Sequence, residues 1–306
     1  MTARITLALL FAVPAAMAYP WQSVFDRWLL GVAVAVMVVL FAWWRGLFLT
    51  TILARRVAML RRRNQSEGSR RSREFATVTL HVAPGGAEDL PLELIAGYAD
   101  RYGITFHKVR ITSRDTAGAR DTWVTLTLGA EANIAALTAR SPRIPLQDTV
   151  ILAARRLADH LRESGWEVTV VDDVDVPLPQ PGKETWRAVA DERGHTAGYR
   201  VRVDDHLTDT LAELSALDAD ELWTALEFTG SRTDPAIAAY CAVRTGERPG
   251  AGAPLPRLVP ERGRQRPALA ALAPDSDERL AGAPVPIPVE AIATLRWPAG
   301  TAISRT

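Results

Sequence analysis

The chain has 306 residues, 48% of them hydrophobic, with one cysteine and a formal net charge of +1. That length suits one or two domains, and a single cysteine excludes an intramolecular disulfide. The charge is unevenly placed: residues 1–73 hold 11 Arg against Asp26 and Glu67, a net +9, while the remainder holds 25 basic and 33 acidic side chains, a net −8. A nucleic-acid binder carries its basic patch on the folded domain; here the positive charge adjoins hydrophobic sequence instead, which points to a membrane.

Residues 5–25 carry no charged side chain, and neither do residues 28–44. About 20 apolar residues span a bilayer core as a helix, so two transmembrane helices are expected, over about 5–25 and 28–52, forming a hairpin within residues 1–53. Arg45 interrupts the second but can snorkel to the head groups. Tyr19, Trp21 and Trp28 mark one interface, and Trp43 and Trp44 the other. Arg4, the apolar stretch and Ala16-Met17-Ala18 also fit a cleavable leader. A retained helix is favoured by the apolar residues beyond Ala18, by the second segment that follows at once, and by Ala8, Ala12 and Ala16 at a helix-packing spacing. After the second segment come nine arginines between Arg45 and Arg73 against Glu67 alone. Positive charge marks the cytoplasmic side, so a multi-pass inner-membrane protein with both termini in the cytoplasm is expected. The arginine run is a topology signal first; anionic lipid is a further partner it could take.

Residues 54–73 read as a helix extension and linker. From residue 74 the pattern alternates. Strands are expected over 75–82, 104–111 and 122–128, with 113–121 as a loop between the last two. Helices are expected over 92–102, closed by Gly103, over 130–139, and over 146–164, where Val150, Leu152, Ala153, Leu157 and Leu161 fall mostly on one face and Gly165 ends the run. A strand over 166–171 follows. Beyond Pro177, Pro179 and Pro181, strands are expected over 185–191 and 199–203 around Gly194, a helix over 207–217, and strands over 221–229 and 236–244. Residues 74–245 therefore read as a mixed α+β cytoplasmic domain, one unit or two small ones in contact. Residues 246–306 read as a Pro/Gly-rich arm with a final strand at 292–297. No internal repeat is detected.

Chemistry-bearing motifs are scarce. The sequence has no phosphate-binding G-x-x-x-x-G-K-[ST] loop, no H-E-x-x-H or paired cysteines for zinc, and no G-x-S-x-G elbow. Cys241 lies in the apolar run 236–243 and reads as a buried structural thiol rather than a nucleophile. The acidic run Asp172, Asp173 and Asp175 closes a strand: a solvated turn is the plain reading, and an oxygen-ligand metal site of the glycosyltransferase type, built on Asp173 and Asp175, is the alternative. Asp204-Asp205-His206 precedes a helix and reads as capping rather than as ligands. His81, His107, His160 and His195 are scattered. Arg155-Arg156 and Arg162-Glu163 read as the polar side of the long helix. No catalytic, metal or cofactor residue is assigned.

Several features together resemble EccE, a membrane component of mycobacterial type VII (ESX) secretion systems: Tyr19-Pro20-Trp21 in the hairpin turn, Phe41-Ala42-Trp43-Trp44-Arg45-Gly46 at the second helix end, the Arg-rich exit and the α+β domain. The resemblance covers essentially the whole chain, and an Ala/Arg-rich composition with lysine only at Lys108 and Lys183 agrees with an actinobacterial source. It implies a non-enzymatic structural subunit of the inner-membrane core complex, partnered by EccB, the EccC ATPase and EccD, in the ESX branch linked to metal acquisition. The rival of another class is a membrane-anchored enzyme using Asp173 and Asp175.

Overall fold

The computed structural model describes residues 74–83, 89–117, 119–139, 145–178 and 180–297, with Val13, Met17, Trp28, 30–32, 43–44, 47–48 and 55–56 nearer the start. The chain divides into two compact units, residues 1–66 and 67–306. In the first, positions 13, 17, 28, 30–32 and 55–56 are helical, while Trp43–Trp44 pairs antiparallel with Leu47–Phe48. That two-rung ladder lies where the second expected helix ran: aromatic residues favour strands, and Gly46 is a poor helix former. Among the described residues no helix is long and apolar enough to cross a membrane. Most of the two expected transmembrane helices, and of the Arg-rich 54–73 segment, lies outside the described residues.

The second unit is built on one eleven-stranded antiparallel sheet. Its elements are β1 (Phe75–Ala83), α1 (Leu92–Ala96), β2 (Lys108–Thr116), β3 (Ala119–Gly129), α2 (Ile134–Thr138), α3 (Leu146–Glu163), β4 (Glu167–Val171), β5 (Lys183–Glu184), β6 (Val189–Asp191), β7 (Gly194–Val201), α4 (Leu207–Ser215), β8 (Glu221–Gly230), β9 (Pro235–Thr245), β10 (Leu258–Pro260), α5 (Gln265–Leu272), β11 (Val285–Pro286) and α6 (Val289–Thr294). The strand order is β4-β1-β3-β2-β8-β9-β7-β6-β5, with β10 on β7 and β11 on β9.

This order contains a repeated topology that no sequence repeat announces. From β1 to β4 the chain runs β-α-β-β-α-β with strands ordered 4-1-3-2, a split βαβ unit. From β7 to β9 it runs β-α-β-β, and β7, β8 and β9 take the same relative places as β1, β2 and β3. The two halves meet through their equivalent strands, β2 against β8, from Val109↔Phe228 to Thr116↔Glu221.

Alternation along the strands separates two faces. Val109, Ile111, Val124, Leu126, Leu128, Leu226, Phe228, Ile237 and Cys241 point toward α1, α3 and α4, whose Ile95, Val150, Leu157, Leu161, Leu207 and Leu211 complete the main core. The opposite face carries a smaller core of Trp123, Trp223, Ala225, Tyr240 and Ala242, covered by Ala268, Leu269 and Leu272 of α5 and by Leu280.

Several expectations change: the 185–191 strand is only Val189–Asp191, paired with Lys183–Glu184, and the 246–306 arm contributes β10, α5 and β11 to the fold. The expected 113–121 loop is strand almost throughout, because β2 and β3 pair from Lys108↔Thr127 to Thr116↔Ala119. The 92–102 helix is the five residues of α1 and a 3-10 turn at Gly97–Ala99; Gly103 instead belongs to a hairpin turn. The 292–297 strand is largely helix, α6, although Trp297 is buried and donates its indole N–H to Ser113 Oγ at 3.0 Å.

Candidate functional site

On the α5 face, the period-2 positions Lys108, Arg110, Thr112 and Arg114 of β2 lie beside Glu221, Trp223, Ala225 and Glu227 of β8. At one end, Arg110 and Glu227 are 0% and 1% exposed in their side chains and pair at 2.7 Å. Arg110 Nε also donates to Glu227 at 3.0 Å, and its two terminal nitrogens reach the carbonyls of Ala271, Ala273 and Glu278. Lys108, equally buried, donates to the carbonyls of Ser276 and Glu278. Burial, and then the Arg110 charge beside it, hold the Lys108 ammonium well below the usual lysine range. The Leu280 backbone N–H returns a bond to Glu227 at 3.2 Å. Residues 271–280 thus form a strap fastened through main-chain groups to cations of the first half and a carboxylate of the second.

At the other end a chain of ion pairs links side chains of four strands, β2, β8, β9 and β6. Glu221 accepts from Arg114 at 2.7 Å and lies 2.9 Å from Arg244 Nε as an ion pair; Arg244 also meets Asp191 at 2.9 Å, and Arg114 meets Asp175 at 2.5 Å. Arg114 lies 5.6 Å over the Trp223 ring, which is stacked on Trp123 at 5.7 Å. These contacts join the two halves, and the cations and carboxylates named here are engaged with one another or with main-chain carbonyls.

A further group of exposed features surrounds a short hairpin after α1. Asp100–Arg101 pairs with Ile104–Thr105 across a two-residue loop, Tyr102-Gly103, in which both residues have positive φ, 58° and 68°. This is the primed hairpin turn, whose first position suits Asn, Asp or Gly. Tyr102 is 43% exposed all the same. Arg156 of α3 lies 4.7 Å from its ring centroid and Arg101 5.3 Å, with Arg101 also 4.7 Å over Tyr98. Tyr98 is buried and shares a 2.9 Å hydrogen bond with His160; burial first, then its neighbour Tyr102, push its phenol well above the usual range. Next to the turn opens a cleft of about 550 Å³, with Leu90, Leu94, Ile292 and Leu295 among its apolar lining and Arg101, Arg232 and Arg296 among its polar lining; Asp89 and Glu93 also contribute.

The residues singled out in the sequence are not brought together. Asp175 is engaged by Arg114, and Asp172 and Asp173 are exposed in the turn after β4. Among the described residues no group of three or more His, Cys, Asp and Glu side chains could hold a metal ion. Cys241 is fully buried, and burial pushes its thiol far above the thiolate range, which makes it inert as a nucleophile. Asp204 accepts the His206 N–H at 3.0 Å and so turns the chain into α4. Burial and then Arg279 and Lys108 lower the His107 imidazole to about 4, leaving it neutral.

Comparison with known proteins decides the family. A model described as the type VII ESX secretion system translocon EccE matches residues 116–201. The ESX-3 secretion system protein EccE3 of Mycolicibacterium smegmatis is 57% identical over 94% of this chain and 93% of its own length. EccE3 of Mycobacterium tuberculosis is 48% identical over 98% of this chain and 92% of its own. The chain belongs to the EccE family.

The family match from Thr116 to Val201 runs from the end of β2 to the end of β7, across the junction of the two halves. Within this EccE-family chain the sequence did hold a signal for the buried seam: cations at 108, 110 and 114 and acids at 221 and 227 repeat with period 2 on strands. Periodicity alone assigns such positions to a solvated face, and only the strap makes that face interior. The Tyr102 turn carries the weaker signal of a Gly in an apparent helix end.

Proposed function

We propose that this chain is a non-enzymatic structural subunit of the membrane core of an ESX-3 type VII secretion apparatus, anchored by its N-terminal hydrophobic segments and working through its cytoplasmic α+β unit. The carrying observation is the 57% identity to a protein named for that system, extending over 94% of this chain. The charged side chains in the interior support it: they are consumed in holding strands and strap together rather than converging on a cleft. The N-terminal unit supplies the membrane-directed sequence, two uncharged stretches followed by the arginine run. Other core subunits, EccB, the EccC ATPase and EccD, are the proposed partners, with anionic lipid at the arginine run.

A C-terminally tagged copy, purified from its native membrane in mild detergent and run on a native gel, tests this. Companions that include an FtsK/SpoIIIE-type ATPase are expected. Recovery as a small monodisperse protein would count against the assembly role. In the same preparation, Asp173→Asn with Asp175→Asn should leave recovery and secretion unchanged, because Asp173 is exposed and Asp175 serves Arg114; loss of secretion from a variant that still assembles would revive the enzyme reading.

A further inference from the structure

We propose that the Tyr102 turn is a docking point for an acidic segment of a partner protein, with the Tyr102 ring as anchor and Arg101 and Arg156 as carboxylate clamps. The proposal rests on the assembly role above and adds the chemistry of the contact.

The turn itself does not explain Tyr102. A hairpin loop with two left-handed residues favours Asn, Asp or Gly at its first position, and a bulky residue there is an outlier that marks strain or use. The side chain is nonetheless 43% exposed. It is held edge-on to Tyr98, with ring centroids 6.2 Å apart, and flanked by Arg101 and Arg156. Among the described residues neither arginine forms an ion pair. Stacking occupies the faces of a guanidinium and leaves its N–H edges available for a carboxylate.

The surroundings suit a protein partner. Leu152, one helical turn before Arg156 on α3, is 52% exposed, and Ile134 is 51% exposed. Ile134 follows Asn133, whose side chain bonds both the N–H and the carbonyl of Thr105 in the hairpin. Tyr and Arg with aliphatic neighbours is the composition of an interface hot spot. The exposed side of α3 mixes Asp148, Asp159 and Glu163 with Arg155, Arg156 and Arg162, and Arg162 is taken by Asp159 at 2.8 Å. A broad anionic bilayer would meet those carboxylates; a peptide that places one or two acids at Arg101 and Arg156 would not. The neighbouring cleft, which Arg101 also lines, adds Arg232 and Arg296 but carries Asp89 and Glu93 as well, so the segment's acids are placed at the turn and not in the cleft.

The test uses the full tagged chain in its native membrane, with p-benzoylphenylalanine replacing Tyr102 as the photocrosslinker. The crosslinked peptide should come from one co-purifying subunit and contain Asp or Glu beside the reacted residue. Arg101→Glu with Arg156→Glu should lower recovery of that subunit roughly tenfold, as for hot-spot arginines, and Lys at the mapped acids should restore it. Tyr102→Asn should keep or raise the melting temperature while weakening recovery, an outcome that misfolding cannot mimic. Unchanged recovery of the double reversal, a crosslink to lipid or to a peptide without acids, or flotation on phosphatidylglycerol vesicles that the reversal abolishes would each overturn the proposal. If the unsubstituted chain is itself recovered alone, the assembly role fails first; if it is recovered in a complex that the substitutions leave intact, only the docking point fails.

Discussion

Arg110 shows how far a residue's fate departs from its type. In sequence it is one cation in an alternating strand; in the fold its guanidinium is fully enclosed by Glu227 and three main-chain carbonyls. Removing one partner of such a pair leaves a buried charge uncompensated, which is worse than never having buried the pair. Glu227→Ala should therefore cost about 3–5 kcal/mol of stability, read as a lower urea midpoint, and it should also loosen the strap by removing the acceptor of the Leu280 N–H. Asp175→Ala, at a side chain 65% exposed, should change the same midpoint by less than about 1 kcal/mol. A Glu227→Ala midpoint equal to that of Asp175→Ala would show that the seam is not a stabilising contact. That either acid faced Arg110 or Arg114 was invisible in sequence, since 117 residues separate Arg110 from Glu227.

Strands and helices were legible where one face is apolar and the other polar. α3 is the clearest case: the expected 146–164 helix is Leu146–Glu163, because its buried stripe is continuous. The β2–β3 hairpin extends beyond the run its pattern predicts because its outer turns are polar on both faces. Ser113 and Thr122 share a hydroxyl bond at 2.8 Å and Arg120 pairs with Asp115, cross-strand partners that stabilise a sheet but look like loop residues one at a time. β7 depends on an approach that pattern cannot reveal. A side chain at Gly198 would meet the hydroxyl of Tyr240 and lie 3.1 Å from the ring carbon that bears it, while the Gly198 N–H is taken by Gln265 at 2.7 Å. Gly198→Ala should cost about 1–3 kcal/mol through overpacking. Among the described residues the buried Tyr240 hydroxyl has no hydrogen-bond partner, so Tyr240→Phe alone should be near neutral and should recover part of the loss in the double variant. A double-mutant cycle on urea midpoints gives the coupling, and additive losses would refute the contact.

At the scale of the molecule, the segment after Thr245 is part of the fold. It reads as an arm because Pro and Gly interrupt every period, yet it supplies β10, α5, the strap and β11. α5 and Leu280 cover Trp223 and Tyr240, and the strap covers Lys108 and Arg110. A chain ending at Thr245 would expose that whole face. It should lose cooperative unfolding, seen as a broad urea transition with a reduced m-value, where the full chain shows a single sharp one. A truncated chain with an unchanged m-value would mean the arm is peripheral.

The sequence alone determined the charge split, the uncharged N-terminal stretches, the α+β class and the burial of Cys241, since composition and local periodicity carry each of these; the likeness to EccE rested on the hairpin residues and the order of the segments. Tertiary structure alone decided that the two halves share one sheet through β2 and β8, that the polar strand face is interior, and that Asp175 is a partner of Arg114. Those outcomes depend on contacts between residues far apart in the chain. A period-2 pattern says which residues share a face; it cannot say whether water or a strap of main-chain carbonyls will lie against it.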